Sequence, residues 1–415
     1  MITLTYQYKL KPTRHQEAEI NHILDVCKSV YNYALRERKD WLSSRKSPIN
    51  SCSIISEYII PADTSYPNYN YQAKNLTIAK KTNPRLKSVN AQVLQQTLKT
   101  LDRAFSEMKS LGKGFPRFKK KMRSFVFPAM LKNCLGNNRI KLPQLGWIKI
   151  KQSRPYPDGF QAKQARIVRK ASGYYLMITF FSSESVPENP IGKRSLGIDA
   201  GIESFVATST GKLIKSPKFL LSSLRELKLL QRRLKKKTRG SNNWLKLQNK
   251  IARLHEKIAN TRRDWHFKLA HQLCDFTDNI FVEDINFKSW SRGIVRKQSN
   301  DSGIGQFINE ILPYVCWKRG KYYAKVDKNY TSQECPLCGH IQKKKLSDRK
   351  HNCSSCGYQL NRDVAAAKVI RKRGLIAVGH TVKEKRTACP EVPERVKTEQ
   401  ESLWRWSDGG TTQLV

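Results

Sequence analysis

The chain has 415 residues, with 78 Lys plus Arg against 33 Asp plus Glu, a formal charge of +45. Hydrophobic residues at 39% and aromatics at 9% exclude wholesale disorder, and a chain this long buries roughly 75% of its unfolded surface without needing disulfides. So large a self-repelling charge calls for a polyanionic partner, nucleic acid ahead of an anionic membrane. At roughly 150 residues per domain, two or three domains are expected.

The N-terminus has no signal-peptide pattern, and no run of 18 apolar residues marks a membrane span. Of ten cysteines, four form two tight pairs. The other six (Cys27, Cys52, Cys134, Cys274, Cys316, Cys389) are scattered, which fits a reducing cytoplasm.

Ile2, Leu4, Tyr6, Tyr8 and Leu10 alternate as a strand, and Lys11-Pro12 ends it. Thr13 and Gln16 then form a capping box that opens a helix to about Arg38. Cys27 lies on its apolar face with Ile23, Leu24, Val30 and Tyr31, where packing is its role. Residues 44–90 read as loops with short helical pieces. From Asn90 a second helix carries Leu94, Leu98, Leu101, Phe105 and Met108 on one face. Gln92, Gln96, Lys99 and Arg103 line another. That face is either simply solvated or suited to nucleic acid, since Gln can read adenine edges.

Residues 112–127 interleave aromatics with Arg117, Lys119, Lys120 and Lys121. The cations suit phosphates and the rings suit stacking; the plainer reading is a solvated strand edge. Short strands at 139–142, 147–151, 165–170 and 174–181 predict a small antiparallel sheet or barrel. Pro187, Pro190 and Gly192 mark a linker and a domain boundary.

Beyond the linker, strands are expected at 195–200, 204–208 and 212–215. An antiparallel helical hairpin follows, with Leu220, Leu224, Leu227, Leu230 and Leu234 on one arm and Trp244, Leu247, Ile251, Leu254 and Ile258 on the other. Basic residues 232–239, Arg232 and Arg233 among them, sit at its tip. A buried strand at 279–285, a helix at 305–318, a strand at 321–327 and a helix at 361–373 complete the pattern. Three strands, helix, strand, helix, strand, helix is the order of a ribonuclease H-like fold, with the hairpin and a cysteine module inserted.

The cysteine module reads Cys335-Pro-Leu-Cys338-Gly and Cys353-Ser-Ser-Cys356-Gly, 14 residues apart. In each knuckle the Gly permits the tight turn that aims both sulfurs at one ion. Four thiolates make a closed tetrahedral site for one structural Zn²⁺, the alternative being a redox pair. His340 and His351 lie beside the knuckles and are read as bystanders.

Asp199, Glu283 and Asp363 form the second constellation. Singly, each passes for an ordinary surface or capping acid. In a ribonuclease H-like sheet, however, the first and fourth strands are neighbours and the last helix crosses their ends, so the three carboxylates converge. Unpaired they would repel one another; two Mg²⁺ ions resolve this, one activating water and the other stabilising the leaving 3′ oxygen. Asp284 is an alternative to Glu283, but strand alternation puts Glu283 with Phe281 on one face and Asp284 with Val282 on the other.

At these residues the chain resembles TnpB, the RNA-guided nuclease family of bacterial insertion sequences, to which the compact type V CRISPR effectors are related. The likeness runs from about Thr3 to Leu375. It is carried by Gly-Phe-Pro-Arg-Phe-Lys-Lys-Lys (114–121), Gly-Ile-Asp-Ala-Gly-Ile (197–202), Val-Glu-Asp-Ile-Asn (282–286) and the stretch 331–367, from Thr-Ser-Gln-Glu-Cys to Asn-Arg-Asp-Val-Ala-Ala-Ala. The resemblance implies an α+β, α/β multidomain chain. Its parts are a wedge-like β-barrel (1–12 and 112–188) with an inserted helical recognition domain (13–111), a RuvC nuclease (189–330, hairpin 220–276), a zinc ribbon (331–358), the last RuvC part (359–382) and a disordered tail (383–415).

It also implies a guide RNA from the transposon end, a double-stranded DNA target beside a short duplex motif, a separate transposase encoded nearby, and the bacterial cytoplasm with its nucleoid as location. Asp199, Glu283 and Asp363 match the RuvC catalytic positions. Asn361 stands where the family often has Asp and Ala365 where it usually has Asn, which puts full metal affinity and cutting rate in question without removing a carboxylate. Two other readings stay open at this point: a cleavage-deficient RNA-guided DNA-binding regulator, and a DDE-like transposase.

Overall fold

The computed structural model describes residues 2–46, 60–61, 63–130, 133–183, 189–293, 295–345 and 348–379. The expected disorder of the tail, with Trp404 and Trp406, lies outside these residues, as do Cys52 and Cys389. The chain divides into two units, Met1–Val186 and Pro187–Val415.

The first unit runs β1 (Ile2–Lys11), α1 (Arg14–Ser44), α2 (Tyr69–Thr82), α3 (Pro84–Lys87), α4 (Ala91–Leu111), β2 (Ser124–Phe127), β3 (Leu135–Gly136), β4 (Arg139–Leu142), β5 (Gly146–Lys151), β6 (Gln161–Lys170) and β7 (Gly173–Ser182). The strands form one seven-stranded antiparallel sheet in the order β2-β6-β7-β1-β5-β4-β3. In β7 the period of two is strict: Tyr174, Leu176, Ile178 and Phe180 are buried. They share one core with Ile20, Ile23, Leu24 and Cys27 of α1 and Leu94, Leu98, Leu101 and Phe105 of α4. The capping box at Thr13 and Gln16 is present in full.

Two features differ from the sequence expectation. α1 continues to Ser44, past the predicted end near Arg38. Arg38 lies on the buried face, 1% exposed, and stays there because its guanidinium donates to Gln72 Oε1 and Asp102 Oδ1, both at 3.0 Å. The 44–90 stretch includes a 14-residue helix, α2, whose start is capped by the Asn68 side chain.

The second unit runs β8 (Ser195–Ala200), β9 (Val206–Thr208), β10 (Leu213–Ile214), α5 (Phe219–Ser222), α6 (Leu224–Lys235), α7 (Asn242–Phe276), β11 (Asn279–Glu283), α8 (Phe287–Trp290), α9 (Arg296–Ser302), α10 (Ile304–Gln306), a π-helical turn (Phe307–Ile311), α11 (Leu312–Lys318), β12 (Tyr322–Val326), β13 (Lys350–Asn352), β14 (Gln359–Asn361) and α12 (Arg362–Ala377). The central sheet has the order β10-β9-β8-β11-β12. β8 and β12 flank β11 in parallel, and β8-β9-β10 is an antiparallel meander. α6 and α7 make the expected hairpin, sealed by Leu227, Leu230, Leu254 and Ile258. β13 and β14 form a separate two-stranded ribbon.

Candidate metal centres

Strand alternation decides which way the acids point. Leu196, Ile198 and Ala200 of β8 and Ile280 and Val282 of β11 share a core with α7 and with residues 304–316. The intervening residues, Gly197 and Asp199 on β8 and Phe281 and Glu283 on β11, belong to the opposite face. α12 covers that face. Phe281 packs with Ile370, and its ring lies where a side chain on Gly374 would go. Gly197 lets α12 approach β8 closely. At the start of α12 the Asn361 side chain accepts hydrogen bonds from the backbone N–H of Asp363 (3.0 Å) and Val364 (3.3 Å), placing Asp363 in the first turn.

The charges of the other two carboxylates bear on Asp199. The Asp199 carboxyl is held well above the usual carboxylate range, first by burial and then by the charges of Glu283 and Asp363; Arg362 and the Ala200 N–H pull the other way. Burial also raises Glu283, opposed by the Thr331 hydroxyl, which donates to Glu283 Oε1, and by Arg373 and Lys328. Asp284 is exposed and paired with Lys325 Nζ at 3.0 Å. Hard carboxylate oxygens whose charges bear on a buried Asp199 suit divalent cations such as Mg²⁺. The oxygens do not form one tight cluster: among the described residues, only the four cysteines bring three or more ligand atoms all within 4.8 Å of one another.

Cys335, Cys338, Cys353 and Cys356 form that tight group, with Sγ separations of 3.7 Å (Cys335–Cys356) and 3.5 Å (Cys338–Cys353). Tetrahedral Zn–S bonds of about 2.3 Å put sulfurs about 3.8 Å apart. The two knuckles repeat one backbone pattern. Gly339 N–H donates to Cys335 O and Gly357 N–H to Cys353 O, both at 2.9 Å, with the glycines at φ 78° and 70°. His340 and His351 are not part of the group. The His351 ring contacts Lys344 Nζ, and His340 Nε2 lies 3.4 Å from Ser354 Oγ.

The basic candidates occupy surfaces. Gln92, Lys99 and Arg103 are exposed on α4 and Gln96 is half-buried. Lys99 Nζ lies 5.6 Å from the Tyr69 ring centre. Arg117, Lys119, Lys120 and Lys121 are exposed, near the exposed rings Phe115 and Phe118. Lys119 is tied to α1 by two backbone hydrogen bonds with the Asn32 side chain, at 2.8 and 3.0 Å. Arg232 and Arg233 are exposed at the end of α6. Arg233 lines a cleft of about 680 Å³ with Lys236, Lys237, Lys246, Lys250 and Arg253.

Sequence reasoning missed Thr331 and Arg373 beside Glu283. Thr331 belongs to the Thr-Ser-Gln-Glu segment that precedes the first knuckle, but nothing in its spacing marks it.

Three family models match the chain: "Probable transposase" (OrfB_IS605) over residues 179–292, "Cas12f1-like, TNB domain" over 306–370, and "Helix-turn-helix domain" over 1–47. Within the last, the described residues form β1 and the single helix α1. The protein named "Putative RNA-guided DNA endonuclease InsQ" of Escherichia coli (strain K12) is 30% identical over 406 residues, covering 93% of this chain and 94% of that protein. A Streptomyces pristinaespiralis protein named "Putative RNA-guided DNA endonuclease" is 26% identical, covering 90% and 89%. The fold is similar to that of the protein in a Cas12f1-sgRNA-target DNA complex, with a TM-score of 0.50, 14% identity and coverage of 89% of this chain and 98% of that one. Through its full-length likeness to InsQ, the chain belongs to the TnpB (OrfB_IS605) family of RNA-guided DNA endonucleases.

Proposed function

We propose that this RNA-guided DNA endonuclease of the insertion-sequence type hydrolyses target phosphodiesters at a RuvC-type centre made by Asp199, Glu283 and Asp363, with Mg²⁺ as the metal. One observation carries the reading. Asp199 and Glu283 belong to the α12-facing side of the parallel β8–β11 pair, and the charges of Glu283 and Asp363 both act on Asp199. When bound, two divalent ions would activate a water and stabilise the leaving 3′ oxygen.

The chain's own residues supply the rest. The carboxylates hold the ions, the Asn361 cap fixes Asp363, and Thr331 holds Glu283. The four cysteines hold one Zn²⁺ that keeps the ribbon folded. The exposed cations bind phosphates of a guide RNA derived from the transposon end and of duplex DNA, whose short adjacent motif the first unit reads. The retained carboxylates favour cutting over mere occupancy as a regulator.

Wild-type protein purified with its bound RNA should cut a matching target in Mg²⁺. Occupancy of the target without nicking would favour the regulator, and joined strands would favour a transposase.

A further inference from the structure

A side chain outside the nuclease sheet grips Glu283. Thr331 is 4% exposed, and its hydroxyl donates to Glu283 Oε1 while lying 3.1 Å from Lys328 O. A hydroxyl has one proton for these two acceptors, and a carboxylate ionised to hold metal is the stronger claimant, because charge-assisted bonds are the stronger ones.

The backbone that presents Thr331 is itself built for the purpose. Tyr330 has φ 61°, a left-handed conformation that a bulky side chain adopts only when its surroundings impose it. The N–H groups of Gln333 and Glu334 both return to Tyr330 O, at 2.9 and 2.8 Å. Arg373 of α12 donates to Asp327 O (3.0 Å) and Asn329 O (2.7 Å) and pairs with Glu334 at 2.5 Å. Glu334 is the residue before Cys335, so one guanidinium joins α12, the loop and the root of the cysteine ribbon.

We propose that Thr331 is a positioning residue that orients the Glu283 carboxylate for metal, so that the root of the zinc ribbon sets the metal affinity of the nuclease centre. The inference rests on the reading above that Glu283 is a metal ligand. A hydrogen bond from outside the coordination shell restricts a ligand's orientation, and loss of such a partner weakens metal binding about 10–100-fold.

The test is a Mn²⁺ titration of the RNA-free, zinc-loaded full chain, followed by electron paramagnetic resonance, with the Mn²⁺ dependence of cutting by the RNA complex measured beside it. Glu283→Gln serves as the reference. Thr331→Val and Thr331→Ala should bind Mn²⁺ about 10–100-fold more weakly than wild type, and Thr331→Ser, which keeps the hydroxyl, should bind as wild type does. Thermal melts identify any variant that fails to fold, and the Ala and Ser pair then decides the matter. Wild-type affinity in both hydroxyl-free variants would overturn the proposal, as would a loss in Thr331→Ser equal to that in Thr331→Ala. If Glu283→Gln itself binds normally, the parent reading fails, and this inference with it.

Discussion

Gly197 and Ala367 meet backbone to backbone: a Cβ on Gly197 would lie 2.0 Å from the Ala367 carbonyl oxygen. That contact seats α12, and hence Asp363, against the strand that carries Asp199. Gly197→Ala should therefore displace the helix and destabilise the second unit by about 1–3 kcal/mol, in the range of core overpacking. Urea unfolding measures this, and cutting should fall further than stability because Asp363 moves.

A pH effect follows from the raised carboxyls. A carboxyl whose pKa is higher in the folded protein contributes stability that is complete below its unfolded value, about 4, and is lost as pH rises through the folded value. Asp199 and Glu283 thus cost the metal-free protein stability at neutral pH. Asp199→Asn should raise the melting temperature of the metal-free chain at pH 7 and leave it unchanged near pH 3. Added Mg²⁺ should stabilise the wild type and not the variant.

The cysteine group predicts one zinc per chain. Cys335→Ser with Cys353→Ser should abolish it, measured by elemental analysis. Amide exchange should then accelerate across 331–361, and cutting should fall although no carboxylate has changed. Normal cutting by the zinc-free variant would separate the ribbon from the nuclease centre.

The phosphate contacts proposed for the hairpin tip carry a salt signature. Arg232→Ala with Arg233→Ala should reduce the slope of log affinity against log salt for nucleic acid by about 1.4–1.8, two contacts at about 0.7–0.9 each. An unchanged slope would remove these two residues from the interface.

Much of this architecture was legible because periodicity reports burial. The alternation in β7, the apolar stripe of α4 and the Thr13–Gln16 cap all read through directly. What escaped has physical causes. Arg38 breaks the apolar stripe of α1, yet it is buried with partners, Gln72 and Asp102, that lie 34 and 64 residues away. α2 has little apolar patterning to announce it. The π turn at Phe307–Ile311 sits just before Pro313, whose missing N–H and ring disturb regular helical bonding; a proline marks a disturbance without saying which form it takes. Thr331 meets Glu283 across 48 residues through a loop with no period at all.

Asp199, Glu283 and Asp363 are proposed to make the cutting centre together. The most direct test compares wild type, Asp199→Ala, Glu283→Gln and Asp363→Asn, each purified with its RNA, on a matching duplex in Mg²⁺, with target binding measured alongside. Each variant should bind the target and lose at least about a hundredfold in cutting, and chelator should silence the wild type. Cutting at the wild-type rate by any one of the three would remove that carboxylate from the centre and overturn the three-acid assignment.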